Sequence, residues 1–185
     1  MEDLNKSSKI LMNETDIHHA ILRICYEIIE KKRNLQDIVF VGIKTGGEYL
    51  AKRFQKEIEK ITSIKGHFGT LDITLYRDDF DTLGDLTVGE TNLMVDINKK
   101  RVILVDDVLY TGRTIRSALD ELVDFGRPAE IELAVLIDRG GRELPICASY
   151  VGKTVSIKKS EYIKVQLKEL NDKDQVISLK RDNTN

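Results

Sequence analysis

Four apolar residues, Val102-Ile103-Leu104-Val105, run directly into two aspartates, Asp106 and Asp107, and this junction most constrains the fold. An unbroken apolar run this short suits a strand covered on both faces, because a strand with one wet face alternates polar and apolar residues. A second such run, 38–43, is followed by Gly46-Gly47 and a helical stretch to about Thr62. The order then returns, with 101–105 as strand, 106–112 as loop and 114–125 as helix, stopped by Gly126 and Pro128. A third buried strand, 131–137, ends at Asp138-Arg139-Gly140-Gly141. Strands alternating with helices imply an α/β fold whose central, mostly parallel sheet is flanked by helices, with sites at the carboxyl ends of the strands.

Around this centre, Ile17, Ala20, Ile21, Ile24, Cys25, Ile28 and Ile29 recur at helical spacing, and Asn13 with Asp16 can cap the helix start. Residues 68–76 alternate as a half-exposed strand, and the acidic stretch 77–90 reads as a mobile antiparallel arm. Short strands are expected from Ser149 onward. The 185 residues, 41% hydrophobic, form one domain spanning 1–185, with 1–12 and 181–185 frayed.

Composition excludes several classes. The net charge of -2 argues against a uniformly basic nucleic-acid binder, though not against a local basic patch. The apolar runs are too short for a membrane span, and the mixed charges at the start show no secretory signal, so a cytoplasmic address is expected. Cys25 and Cys147 read as reduced thiols. His18, His19 and His67 form no metal-ligand pattern, so no metal is assigned to protein ligands.

The chemistry lies in the segment from Val102 to Thr114. At a helix start the unpartnered amides and the positive end of the dipole form an anion cradle, here at Thr111, Gly112, Arg113 and Thr114. Carboxylates beside such a cradle suit sugar hydroxyls, which donate hydrogen bonds, and ribose 5-phosphate carries both groups. The same carboxylates favour positive charge developing at the anomeric carbon. Either feature alone is a common strand end or helix cap; their ordered combination is far rarer.

These thirteen residues closely resemble the phosphoribosyl pyrophosphate (PRPP) signature of type I phosphoribosyltransferases, and the chain from about Ala20 to Leu167 resembles the PyrR family in particular. The supporting motifs are Val41-Gly42-Ile43-Lys44-Thr45, Asp72-Ile73-Thr74-Leu75-Tyr76-Arg77-Asp78-Asp79, the central signature, and Asp138-Arg139-Gly140 continuing into Arg142-Glu143-Leu144-Pro145. The resemblance implies a type I fold with a small hood and a flexible arm. It also implies a uracil phosphoribosyltransferase, a pentosyltransferase making UMP and pyrophosphate from uracil and PRPP. Many members also bind pyrimidine-operon leader messenger RNA.

Residue by residue, the resemblance implies that Asp106 and Asp107 hold the ribose hydroxyls, with Mg2+ bound mainly through PRPP oxygens nearby, and that Thr111, Gly112, Arg113 and Thr114 receive the 5-phosphate. Lys44, Thr45, Gly46 and Gly47 form the pyrophosphate loop. Thr74, Tyr76, Arg77 and Asp78 belong to the flexible loop, with Arg77 in a catalytic role, and Asp138 and Arg139 bind the base. Arg23, Arg142 and Lys153, with Arg139, Lys158 and Lys159, supply a basic RNA face. The family also implies a homodimer or larger homo-oligomer.

The chain departs from its family at informative points. Gly46 stands where the pyrophosphate loop usually carries arginine, so weaker pyrophosphate stabilisation is expected, and Gly46→Arg should raise activity. Gly141 and Cys147 replace His and Arg of RNA-binding relatives, while Leu22 and Tyr26 replace polar residues on the first helix, so RNA binding is expected to be weakened. The alternatives are a catalytically weak or inactive regulatory RNA-binding protein and a phosphoribosyltransferase for another base. A phosphoacceptor receiver is disfavoured because too little chain follows Asp107. A P-loop nucleotidase fails because Cys147 stands where Gly152-Lys153-Thr154 would require a glycine.

Overall fold

The computed structural model describes residues 8–31, 34–73 and 91–180. Twelve elements follow in order: β1 (Lys9–Met12), α1 (Glu14–Lys31), β2 (Ile38–Ile43), α2 (Gly46–Thr62), β3 (His67–Leu71), β4 (Arg101–Leu109), α3 (Arg113–Asp124), β5 (Glu130–Asp138), β6 (Tyr150–Thr154), β7 (Glu161–Gln166), α4 (Lys168–Asn171) and β8 (Gln175–Lys180). Five strands form one sheet in the order β3-β2-β4-β5-β6, and every pairing in it is parallel. The expected architecture is therefore present.

β4 is buried on both faces, and its alternation divides the core. Ile103 and Val105 pack with Phe40, Leu50 and Phe54 on the α1 and α2 side. Val102 and Leu104 pack with Val41, Ile115 and Leu122 on the α3 side. Each fully buried aliphatic side chain contributes about 1.5–3 kcal/mol of transfer free energy, so this strand anchors both layers. The start of α1 is closed reciprocally: the Asn13 amide donates to Asp16 Oδ2 and the Asp16 amide to Asn13 Oδ1, both at 2.9 Å. Among the described residues no helix is long and apolar enough to cross a membrane.

Three expectations change. Residues Lys9–Met12 are not frayed: β1 pairs antiparallel with β8, and β8 with β7, in a separate three-stranded sheet. The Phe68-to-Tyr76 strand is shorter within the described residues, since β3 stops at Leu71. The acid pair lies inside β4, because Val108 and Leu109 continue the ladder with Ile137 and Asp138 of β5. Fraying of 1–7 and of 181–185, and the arm at 77–90, lie outside the described residues.

The small sheet is tied to α2 by Arg53. Its guanidinium donates to Glu169 at 2.9 and 2.5 Å and to Asp174 at 2.8 Å through two bonds. Burial alone raises the Asp174 carboxyl, but hydrogen bonds from Arg53 and from the Lys168 amide overcome it and hold the group below its ordinary value. The Arg53 hydrogen bond likewise lowers Glu169. Depressed carboxyls contribute their stability fully above the unfolded pKa, about pH 4, and lose it as pH falls through the folded values. Arg53→Ala is expected to cost about 1.5–3 kcal/mol at neutral pH, with the difference from wild type shrinking below about pH 4. Urea unfolding at both pH values measures this, and a pH-independent deficit would assign the effect to packing of the side chain instead.

Candidate active site

Asp106 and Asp107 stand near the carboxyl end of β4, just before Val108 and Leu109 complete the strand. Asp106 is 7% exposed and Asp107 half-buried. Asp106 Oδ1 accepts the Asp107 amide at 2.9 Å. Burial, followed by the charge of Asp107, pushes the Asp106 carboxyl well above the usual carboxylate range, and burial also raises Asp107. The two acids therefore share a site where negative charge is costly and a positively charged neighbour would be favoured. Among the described residues, no three His, Cys, Asp or Glu side chains gather as a metal site of their own.

The turn between β2 and α2 lies directly on this pair. A Cβ at Gly47 would sit 2.2 Å from the Val105 carbonyl oxygen, and a Cβ at Gly46 would sit 2.5 Å from Asp107 Oδ2. Both positions exclude a side chain unless neighbours move. The turn is further fixed by the Lys44 amide, which donates to the Leu71 carbonyl at 2.9 Å, and its Lys44-Thr45 peptide is cis. The missing Cβ of Gly46 leaves room for the Asp107 carboxylate. That contact joins residues far apart in sequence, so no local pattern announces it.

Beyond Leu109, the chain turns through Tyr110 and Thr111 into α3. Gly112, the N-cap residue, has φ 95°, a left-handed value that glycine adopts without strain. No side chain caps α3, and its first turn carries no acidic residue, so its amides and dipole are open to an anion. The Thr111 hydroxyl lies 3.4 Å from the Arg113 amide, and both Arg113 and Thr114 are exposed. The Arg113 guanidinium pairs with Glu143 at 2.8 Å.

The segment after β5 closes over this turn. The Thr111 carbonyl accepts the Glu143 amide at 2.9 Å and the Leu144 amide at 3.1 Å, and Leu144 and Ile146 lie against Gly112. Arg139 stacks its guanidinium 3.8 Å from the centre of the Tyr110 ring and donates to the Glu161 carbonyl at 2.9 Å. Asp138 accepts from the Gly140 amide at 2.8 Å and from Arg142 at 2.7 Å. The structure therefore brings together Lys44 to Gly47, the acid pair, the α3 cradle and the Asp138-Arg139 turn. Sequence reasoning assigned no role to Tyr110 or Glu143, although both fall within motifs it had singled out.

Four of the six basic residues assigned to RNA, Arg23, Arg139, Arg142 and Lys153, donate to the protein's own acceptors. Arg23 donates to Glu27 at 2.7 Å, to the Val151 carbonyl at 2.9 Å and to the Gly152 carbonyl at 2.6 Å. Lys153 donates to the Leu11 carbonyl at 2.8 Å. Gly141 has φ 77°, and a Cβ there would lie 2.7 Å from the Tyr110 ring, so a side chain at this position does not fit the turn unchanged. Cys147 and Tyr26 are exposed. Thr74, Tyr76, Arg77 and Asp78 lie outside the described residues.

Comparison with known proteins agrees with this geometry. Residues 12–170 match the phosphoribosyl transferase domain family. The chain is 51% identical over 172 residues to the bifunctional protein PyrR of Halalkalibacterium halodurans, covering 91% of this chain and 96% of that protein. It is 52% identical over 162 residues to the bifunctional protein PyrR of Limosilactobacillus fermentum, covering 86% of this chain and 90% of that one. Among solved structures, a hypoxanthine phosphoribosyltransferase from Staphylococcus aureus shares the fold with a TM-score of 0.69 at 22% identity, covering 96% of this chain and 94% of that one. The hypoxanthine phosphoribosyltransferase of Trypanosoma cruzi does so with a TM-score of 0.70 at 17% identity, covering 94% and 97%. The chain therefore belongs to the PyrR family of phosphoribosyl transferase domain proteins.

Proposed function

We propose that this protein is a uracil phosphoribosyltransferase, converting uracil and PRPP to UMP and pyrophosphate. The observation that carries the reading is the convergence of the buried acid pair with the uncapped start of α3 and the glycine turn at 46–47. These three features match the three parts of PRPP: a pentose with hydroxyl donors, a 5-phosphate and a pyrophosphate leaving group. In the transfer, the bond from the anomeric carbon to the pyrophosphate oxygen breaks, and a bond to a uracil ring nitrogen forms as that nitrogen gives up its proton to the solvent or the departing pyrophosphate. Positive charge develops on the sugar between these events, and ionised Asp106 and Asp107 favour it.

Thr111, Gly112, Arg113 and Thr114 hold the 5-phosphate, while Lys44, Thr45, Gly46 and Gly47 receive pyrophosphate through main-chain donors. Magnesium, bound mainly through PRPP oxygens beside Asp106 and Asp107, would neutralise charge on the leaving group. A pair of acids that burial makes costly to ionise suits such a cation. Arg77 and its neighbours Thr74, Tyr76 and Asp78 complete the site by limiting water, and Asp138 with Arg139 faces the base.

Pyrophosphate release from PRPP with uracil, with hypoxanthine and orotate as controls, tests the assignment. Wild type is expected to respond to uracil selectively, and Asp107→Asn to lose about 100-fold or more in kcat through reduced electrostatic stabilisation. Release with hypoxanthine alone would reassign the base, and release with none of the three would favour a regulatory protein without catalysis.

The expected gain from Gly46→Arg is now divided into two effects, because any Cβ there displaces Asp107 while only arginine adds a cation. Comparing Gly46→Arg with Gly46→Ala isolates the cation. The arginine variant is expected to exceed the alanine variant by about tenfold in kcat/KM for PRPP, and equality would show that pyrophosphate needs no further charge.

Control of pyrimidine-operon transcription through leader RNA is the second activity of the same reading, in weakened form. Arg23, Arg142 and Lys153 already donate to the protein's own acceptors, and Gly141 and Cys147 supply no charge. A gel shift with leader RNA is expected to show weak binding with shallow salt dependence; nanomolar, sequence-selective binding would contradict the weakening.

A further inference from the structure

One guanidinium holds the turn that follows β5. Arg142 Nε donates to the Ile146 carbonyl at 2.9 Å, Nη1 to the Tyr110 carbonyl at 2.8 Å with the Leu109 carbonyl at 3.5 Å, and Nη2 to Asp138 Oδ2 at 2.7 Å. Three segments meet on this side chain: the end of β4, just beyond the acid pair; the end of β5; and the Leu144-to-Ile146 turn that lies against Gly112. The other oxygen of Asp138 accepts the Gly140 amide at 2.8 Å, so the carboxylate is oriented from two sides. The side chains of Arg142 and Asp138 are only 22% and 20% exposed.

We propose that Arg142 is a positioning residue for the base subsite rather than an RNA contact. It fixes Asp138 and the Arg139-to-Gly141 turn against β4, so that a base held there faces a sugar held at Asp106 and Asp107. The inference rests on the proposed phosphoribosyl transfer. Only a planar fork reaches two carbonyls and a carboxylate in separate directions, and a lysine ammonium cannot reproduce that set. Service as a phosphate contact would break these bonds and leave the Tyr110 and Ile146 carbonyls and the Asp138 carboxylate unpaired, which costs more than one exposed phosphate contact returns.

The test compares wild type with Arg142→Gln and Arg142→Lys in steady-state kinetics, varying uracil and PRPP separately, alongside thermal unfolding and the leader-RNA gel shift. Arg142→Gln is expected to raise KM for uracil by about tenfold or more, to change KM for PRPP by less than about twofold, and to leave RNA binding unchanged. Arg142→Lys should recover part of the uracil affinity by keeping a charge beside Asp138. Should Arg142→Gln fold poorly, Asp138→Asn supplies the second measurement, because it removes the partner's charge while keeping its shape and should also raise KM for uracil selectively. An unchanged KM for uracil in the folded variants, equal rises in both KM values, or a selective loss of RNA binding would each overturn the inference while leaving the transferase reading intact. A wild-type protein that turns over no base removes both.

Discussion

Burial of β4 on both faces is the constraint on which the rest of the structure depends. Its apolar residues fill two separate cores at once, so the strand can neither slip in register nor turn over without exposing one set. The ladder with β5 continues through Asp106 to Leu109, and the polar residues that follow emerge at a fixed height and direction. The acid pair is costly to hold there, since burial opposes its ionisation. A strand anchored by two cores is what can keep such a pair in place.

The site is assembled by close backbone packing as much as by side chains. Gly47 allows α2 to begin against the Val105 carbonyl, and Gly46 leaves the space that the Asp107 carboxylate fills. The turn after β5 then lies across the start of α3, with the Thr111 carbonyl receiving two amides from it. Three connections that are distant in sequence thereby share one corner of the sheet. Displacement of any one is felt by the other two.

β2, β4 and β5 were legible because each carries at least four consecutive apolar residues that end at glycine or acid, and the helices because their apolar residues keep a single stripe. Asn13 and Asp16 were legible as a cap for the same local reason. β1 and β8 were not, because a four-residue edge strand and its six-residue central partner carry little signal until they pair across the chain. The true end of β4 was hidden by the aspartates, which read as loop until the β5 ladder is known. Lys44 to Gly47 and Thr111 to Thr114 were legible as glycine-bearing strand-to-helix turns. The engagement of Arg23, Arg142 and Lys153 was not, since an arginine bound to carbonyls and one facing solvent are the same letter in a sequence.

A carboxyl that burial makes costly to ionise responds when a cation or a positively charged reaction centre arrives beside it. At Asp106 that arrival favours the ionised form over the protonated one, against the burial that opposes it. A cation and a proton therefore compete for the same atoms that define the site.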